Sequence, residues 1–126
     1  EMMPPRLDLP ALLASFSDHW QPRTIGRFNG NELRLVKFQG EFVWHRHPAD
    51  EMFLVVAGTM TLRFRDGEHR LEPGQACVIP AGTEHITLAE SECQALVLDV
   101  EDEPNTGDAG GSMTAMSAPI QSVMLP

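Results

Sequence analysis

His45 and His47 stand two residues apart in the run Trp44-His45-Arg46-His47-Pro48-Ala49-Asp50-Glu51. Side chains two apart on an extended strand leave the same face, about 7 Å from each other. Both imidazoles therefore project together, and Glu51 shares their parity across the Pro48 turn. Two imidazoles and a carboxylate on one face are ligands that a first-row divalent ion accepts. His85, just after the tight Pro80-Ala81-Gly82 turn, is a fourth candidate on a later strand that a barrel can bring opposite the first. A single histidine on a strand is ordinarily a surface group or a satisfied core group, and any one of these would be read that way. Taken together they differ. Burying three imidazoles and a carboxylate without a cation strands several polar groups, at about 1–3 kcal/mol each, and a metal removes that objection. Glu51 keeps two roles open: it can ligate, or swing off the ion and act as a general base.

The elements that must position these residues are short strands. From Glu41 to Val100 the chain reads as Phe42 to His47, Glu51 to Ala57, Thr59 to Arg65, His69 to Glu72, Gln75 to Ile79, Glu84 to Leu88 and Gln94 to Val100. Gly58, Asp66-Gly67, Pro73-Gly74 and Pro80-Ala81-Gly82 punctuate them. Asp66-Gly67 is a strong hairpin signal, and many short strands with Gly/Pro turns argue for an all-β sandwich or barrel. A further strand is expected over Leu33 to Gln39, after the Asn29-Gly30 turn. Val43, Phe53 and Val55 share parity with the ligands and are expected to line the pocket together with Met60, Leu62 and Cys77. Met52, Leu54 and Val56 fill the other face. Trp44 and Arg46 alternate with the ligands and face away, toward the second sheet or a partner.

Before the strands, Asp8 can cap a short helix carrying Pro10 in its first turn and Leu9, Leu12, Leu13 and Phe16 at helical spacing. The expected organisation is a helical lead-in over residues 1–30 that packs on the barrel, the barrel over 31–103, and an extended tail over 104–126. That tail is rich in Gly, Ser, Thr, Met and Pro and reads as loose on composition, with a neighbouring subunit as the surface it would lie on.

The rest of the composition excludes classes of function. The 126 residues fit one domain. The net charge of -9, from 18 acidic and 9 basic residues, repels phosphate backbones and anionic lipid, so neither nucleic acid nor a membrane is an expected partner. No apolar run reaches the roughly 20 residues of a membrane helix, and no charged-then-apolar signal pattern opens the chain, so the cytoplasm is the expected location. Cys77 and Cys93 lack CxxC spacing and read as reduced, buried thiols. The chain has no tyrosine, which removes mechanisms that need a Tyr base or a Cys–Tyr crosslink. The single lysine, Lys37, is not marked as buried by its neighbours, and His19 and His69 read as surface residues. No phosphate loop or nucleophile elbow occurs.

Two blocks of this sequence resemble the motifs of the cupin family. Gly40…His45-x-His47-x3-Glu51-x6-Gly58 is similar to the first, and Gly74-x5-Pro80-x-Gly82-x2-His85 to the second, with fifteen residues between Gly58 and Gly74. The spacing from Gly40 to His45 is one residue shorter than the family pattern, and Ala89 stands where the second motif usually has Asn. The resemblance implies a jelly-roll β-barrel, a site of three histidines and one glutamate for a divalent ion (Zn, Fe, Ni or Mn), and a homodimer. It implies a metal-dependent dioxygenase, isomerase or lyase acting on a small oxygen-rich metabolite such as a keto acid, a hydroxy acid or a sugar derivative. The alternative it leaves is a non-catalytic metal- or ligand-binding module.

Overall fold

The computed structural model describes residues 3–120. The chain opens with a helical turn, α1 (Leu9–Leu13), whose start is set by the Asp8 side chain accepting from Ala11 N and by Pro10 in the first turn. Eight strands follow: β1 (Arg23–Phe28), β2 (Asn31–Glu41), β3 (Glu51–Ala57), β4 (Met60–Phe64), β5 (Gly67–Leu71), β6 (Ala76–Ile79), β7 (His85–Val100) and β8 (Ala118–Pro119). They form an all-β jelly-roll barrel with one short helix, as expected. Among the described residues, no helix is long and apolar enough to cross a membrane.

The strand β7 organises the barrel. One of its edges pairs antiparallel with β2, from Val100 opposite Asn31 to Leu88 opposite Glu41. Its other edge is divided: residues 85–88 pair with β4, and residues 94–98 pair with β3. The separate strands expected over Glu84–Leu88 and Gln94–Val100 are therefore one element. Glu90, Ser91 and Glu92 are polar and exposed, which gives the appearance of a break, but they sit at an irregularity where the register with β2 shifts between Phe38 and Gly40. The bend lets one strand serve two sheets.

Two apolar clusters flank this scaffold. Val36, Phe38, Phe53, Val55, Met60, Leu62, Ala95 and Val97 belong to the barrel interior. Leu12 and Leu13 of α1 join Ile25, Leu35 and Ile120 on the outside. Leu35 and Val36 are both buried, so β2 is covered on both faces, with α1 on the outer one. The lead-in also holds a strand that sequence reading missed. In β1, Thr24 and Ile25 are adjacent and both buried, whereas Arg27 and Phe28 are exposed, so no alternation marks it. Lys37 differs too: it is only 7% exposed, and its ammonium donates to Phe16 O at 2.5 Å with its charge over the Phe16 ring.

The tail is a second departure. Asn105 Nδ2 donates to Trp20 O and Met113 O, Thr106 is fully buried, and Ala118 N and Ile120 N donate to Pro22 O and Thr24 O. It lies on its own barrel through Ile120, held by backbone hydrogen bonds that composition does not reveal.

Gly58 and Gly74 isolate one steric constraint, since both hold left-handed φ, +80° and +85°. A Cβ on Gly58 would lie 2.5 Å from Glu92 O, whereas one on Gly74 would meet nothing within 4 Å. Gly74→Ala should cost about 1 kcal/mol from backbone strain alone, and Gly58→Ala at least about twice that. Urea unfolding of the two variants checks this, and equal losses would contradict it.

Candidate functional site

The four predicted ligands come together at one end of the barrel. His45 lies outside any named strand, so the strand expected over Phe42 to His47 is replaced by a single β-bridge in which His45 and His85 exchange both backbone hydrogen bonds, each 2.9 Å. The loop after His47 is clipped to the second motif's turn: Gly82 N donates to His47 O and Ala81 N to Asp50 Oδ1, both at 2.9 Å. Glu51 opens β3 and His85 opens β7, which sets the remaining two side chains at the same rim. One ligand atom from each of His45, His47, Glu51 and His85 lies within 4.8 Å of all the others, and the four residues are buried.

Hydrogen bonds determine what those atoms can do. His45 Nδ1 donates to Val43 O at 2.8 Å and His85 Nδ1 to Thr83 O at 2.9 Å. His47 Nδ1 donates to Glu103 Oε2 at 2.9 Å. All three rings thus direct Nε2 into the cluster with a free lone pair. Glu51 meets two of them, with Oε1 3.2 Å from His85 Nε2 and Oε2 3.4 Å from His47 Nε2. Burial, then the charges of His85 and His47, push His45 down to about 4, and burial lowers His85 as well. Both are neutral near pH 7, the form that binds a metal. His47 Nε2 is buried without a partner. The donor set, the tautomers and this orphaned atom fit a divalent ion.

A second layer of buried charge lies beneath. Burial pushes Glu51 up to about 7, and burial together with the nearby Glu51 charge pushes Asp99 up to about 8. Asp99 pairs with Arg34, and Arg34 pairs with Glu32. Burial pushes Glu32 up, but hydrogen bonds from Thr24, Arg34 and the Asp102 amide outweigh it and hold the group below the usual carboxylate range. A chain of buried polar groups therefore runs from the barrel floor to the ligand cluster.

Beside the ligands is a cavity of about 50 Å3 that reaches His45 and Glu51. Four aromatic rings, Trp20, Phe38, Phe42 and Phe53, share its wall with the polar Arg34, Thr87, Asp99 and Asn105. Trp20 stacks on Phe38 and Phe42 with centroids 5.1 and 4.6 Å away. Trp20 holds a left-handed φ of 61°, unusual for a bulky residue, and is fixed there by its N–H to Lys37 O and by Asn105 on its carbonyl.

Of the six residues expected to line the pocket, Phe53 does so. Val55, Met60 and Leu62 point inward but sit in the closed core, because the cavity occupies only the end of the barrel where β3 begins. Cys77 is half-buried against that core. Val43 is half-buried in a non-strand segment, where strand parity does not apply, and contributes its carbonyl to His45. Burial raises both thiols, Cys93 to about 12, so they are protonated. Trp44 faces away from the ligands under the Arg65 guanidinium, 3.7 Å from its centroid. Arg46 is exposed and pairs with Glu84 and Asp108. His69 is exposed, and His19 is exposed and pairs with Glu92. Sequence reading missed Glu103, Asp99, Arg34, Trp20 and Asn105. Arg34 and Asp99 did carry a signal, as charged residues in step with inward-facing Val36, Phe38, Ala95 and Val97.

The cupin-domain family profile matches residues 34–101, just over half of the chain. The curated "Uncharacterized protein YdbB" of Bacillus subtilis (strain 168) is 33% identical over 91 residues, spanning 64% of this chain and 80% of that protein. A cupin-2 domain containing protein from Shewanella frigidimarina NCIMB 400 is 38% identical with a TM-score of 0.74, over 75% of this chain and 94% of that one. Protein NMB1881 from Neisseria meningitidis is 30% identical with a TM-score of 0.70, over 77% of this chain and 100% of its own.

Two measurements follow from this geometry. In metal-free protein the folded state holds protons on Glu51 and Asp99 that the unfolded chain releases near 4, so their contribution favours folding at low pH and is lost as pH rises through about 7 and 8. His45 and His85 act oppositely, but only below the unfolded value of 6.5. Between pH 6.5 and 8.5 stability should therefore fall by about 1–2 kcal/mol, and Asp99→Asn should flatten the slope. A rising curve in EDTA-treated protein would contradict the assignment. Separately, Glu103→Ala should weaken zinc binding by about 10- to 100-fold without unfolding the barrel, and Glu103→Gln, which keeps an acceptor for His47, should restore part of it. Competition titration against a chromogenic chelator reads both variants.

Proposed function

The chain belongs to the cupin-domain family, and on that premise we propose that it is a metal-dependent enzyme acting on a small oxygen-bearing metabolite, with one divalent ion held by His45, His47, Glu51 and His85. The observation that carries this reading is the convergence of four buried ligand atoms within 4.8 Å, with every inward-facing imidazole nitrogen set as a lone pair by a partner on the other side of its ring. A divalent ion there supplies Lewis acidity toward a bound carbonyl or hydroxyl, or a place for O₂.

The chain's own residues supply the rest. The three histidines would hold the ion through their inward nitrogens, and Glu51 supplies the one carboxylate among the four. Glu51 sits where it can ligate or, released from the ion, take a proton from a neighbouring carbon or oxygen. Asp99, buried near Glu51, gives such a proton a second carboxyl to move to. Trp20, Phe38, Phe42 and Phe53 on the wall exclude water from one side of the site. Two reaction classes match this arrangement: dioxygenation if the ion is iron, and isomerisation or lysis through proton transfer if it is zinc, nickel or manganese. A second reading, a non-catalytic binding module, draws support from the modest cavity of about 50 Å3, which suits retention of a small ligand as well as turnover.

Elemental analysis of tag-free protein beside His47→Ala tests the proposal. The expected result is near-stoichiometric metal in the parent and its loss in the variant, with the identity of the metal choosing between the two reaction classes. Equal trace metal in both proteins would overturn the metal-centre reading.

A further inference from the structure

Among the described residues, two buried side-chain nitrogen or oxygen atoms have no hydrogen-bond partner: His47 Nε2 and Arg34 Nε. The first belongs to the ligand cluster. The second is on a side chain only 1% exposed. A guanidinium offers five N–H donors in a rigid fork, and four of them have acceptors. Nη1 donates to Asp99 Oδ2 at 3.2 Å and to Glu103 O at 3.0 Å. Nη2 donates to Glu32 Oε1 at 3.0 Å and to Val100 O at 3.4 Å. Only Nε–H is left. Arg34 shares the inward face of β2 with Val36 and Phe38, and all three border the cavity that also reaches His45 and Glu51. A buried donor on a cation is costly to leave unpaired, and the residue that carries this one lines the space next to the ligand cluster.

The surroundings define what can pair with it. Glu32 and Asp99 both contact the guanidinium, and Glu51 stands on the same cavity, so the positive charge is already matched and an arriving anion would meet carboxyl groups. A neutral oxygen meets no such opposition. Trp20, Phe38, Phe42 and Phe53 line one side of the cavity and offer no partners there, which disfavours a molecule hydroxylated along its whole length. A volume of about 50 Å3 holds roughly four water-sized groups. We infer that the cavity receives a compact, uncharged hydroxycarbonyl-type molecule, one oxygen accepting from Arg34 Nε and another directed at the ligand cluster. This deepens the metal-centre reading and rests on it. It narrows the candidate substrates from keto acids, hydroxy acids and sugars to small neutral oxygenated compounds.

The test uses the full chain loaded with zinc, its stoichiometry counted first. Hydroxyacetone and glycolate have nearly the same shape and differ in charge, and glycerol serves as the polyol. Each is titrated while the Arg34 Nε–H resonance, assigned through its own side-chain carbons, is followed by proton–nitrogen NMR. The expected result is a saturable shift of that resonance with hydroxyacetone, and binding of glycolate and glycerol at least about tenfold weaker, the size of one hydrogen bond to a charged donor. Arg34→Lys, which keeps a cation but lacks Nε–H, should weaken hydroxyacetone by about tenfold; the titration of the parent protein is decisive even if that variant does not fold. Tighter glycolate binding would overturn the uncharged class. Hydroxyacetone binding that leaves the Nε–H resonance in place would overturn the role of Arg34. Zinc uptake with no binding of either probe would overturn this inference while leaving the metal centre intact, whereas failure to take up zinc would overturn the metal-centre reading and this inference with it.

Discussion

A backbone carbonyl can only accept a hydrogen bond, so the contacts from His45 Nδ1 to Val43 O and from His85 Nδ1 to Thr83 O place a proton on each of those nitrogens. The opposite nitrogen of each ring is then a lone pair. In both cases the acceptor lies two residues earlier in the chain, so the local backbone that presents the ring also fixes its tautomer. His47 departs from this pattern, because its Nδ1 acceptor is the Glu103 side chain, 56 residues later. Two ligands are thus oriented by their own loops, and the third by the segment that leaves β7. Imidazoles this close together could not all be protonated without strong repulsion. The low value of His45, caused first by burial and then by its two neighbours, expresses the same constraint in electrostatic form.

The barrel supports this arrangement through β7. Its first residue, His85, belongs to the candidate ligand cluster, its middle bends, and its penultimate residue is Asp99, which lies near enough to Glu51 to be raised by its charge. The strand therefore contributes to the site at both ends, and its pairing with β2 along most of its length carries Arg34 and Glu32 to the same floor. A guanidinium with two carboxyl groups in a barrel interior is expensive to desolvate, and such groups persist where they pair with one another. Here Glu32 is served by Thr24, Arg34 and the Asp102 amide. The network joins the outer strand β1, the central strand β2 and the exit of β7, so the ligand cluster rests on a floor built from three strands.

How much of this was legible in the sequence depended on how local the signal was. His45, His47, Glu51 and His85 were readable because their chemistry and spacing occur within two short blocks. Gly58 and the Asp66-Gly67 turn were readable because φ > 0 restricts residue choice. The helix was readable from Asp8, Pro10 and leucine spacing. Parity served where a strand existed and failed where it did not, as Val43 shows in its bridge segment. It also could not locate the cavity along the barrel axis: Val55, Met60 and Leu62 face inward as expected, yet they fill the interior instead of bordering the open space. The strand of the lead-in, β1, was hidden by adjacent buried residues at Thr24 and Ile25. Trp20, Glu103 and Asn105 were out of reach because each acts on residues far away in the chain, with no motif at either end.

The tail shows why composition misleads at this point. Its residues are small and polar, which argues for disorder when hydrophobic burial is the only source of order considered. Order here comes from paired backbone and from close approach. Asp108 N donates to Arg46 O, and the Asp108 side chain accepts from Arg46 N, so the tail caps both polar groups of the residue between the two ligand histidines. Gly107 passes so near that a Cβ there would lie 2.1 Å from Arg46 O and 3.1 Å from His47 Nδ1. A larger residue would push the tail off the very loop that presents His47. Small size is therefore a steric requirement at this position, and the same lack of side chains that reads as looseness is what allows the segment to seat. Because Glu103 opens this segment and Asn105 within it holds Trp20, the path that seats Gly107 also places an imidazole partner and one wall of the cavity. The tail is consequently part of the site's architecture, coupled to it by contacts that depend on the backbone more than on side-chain character.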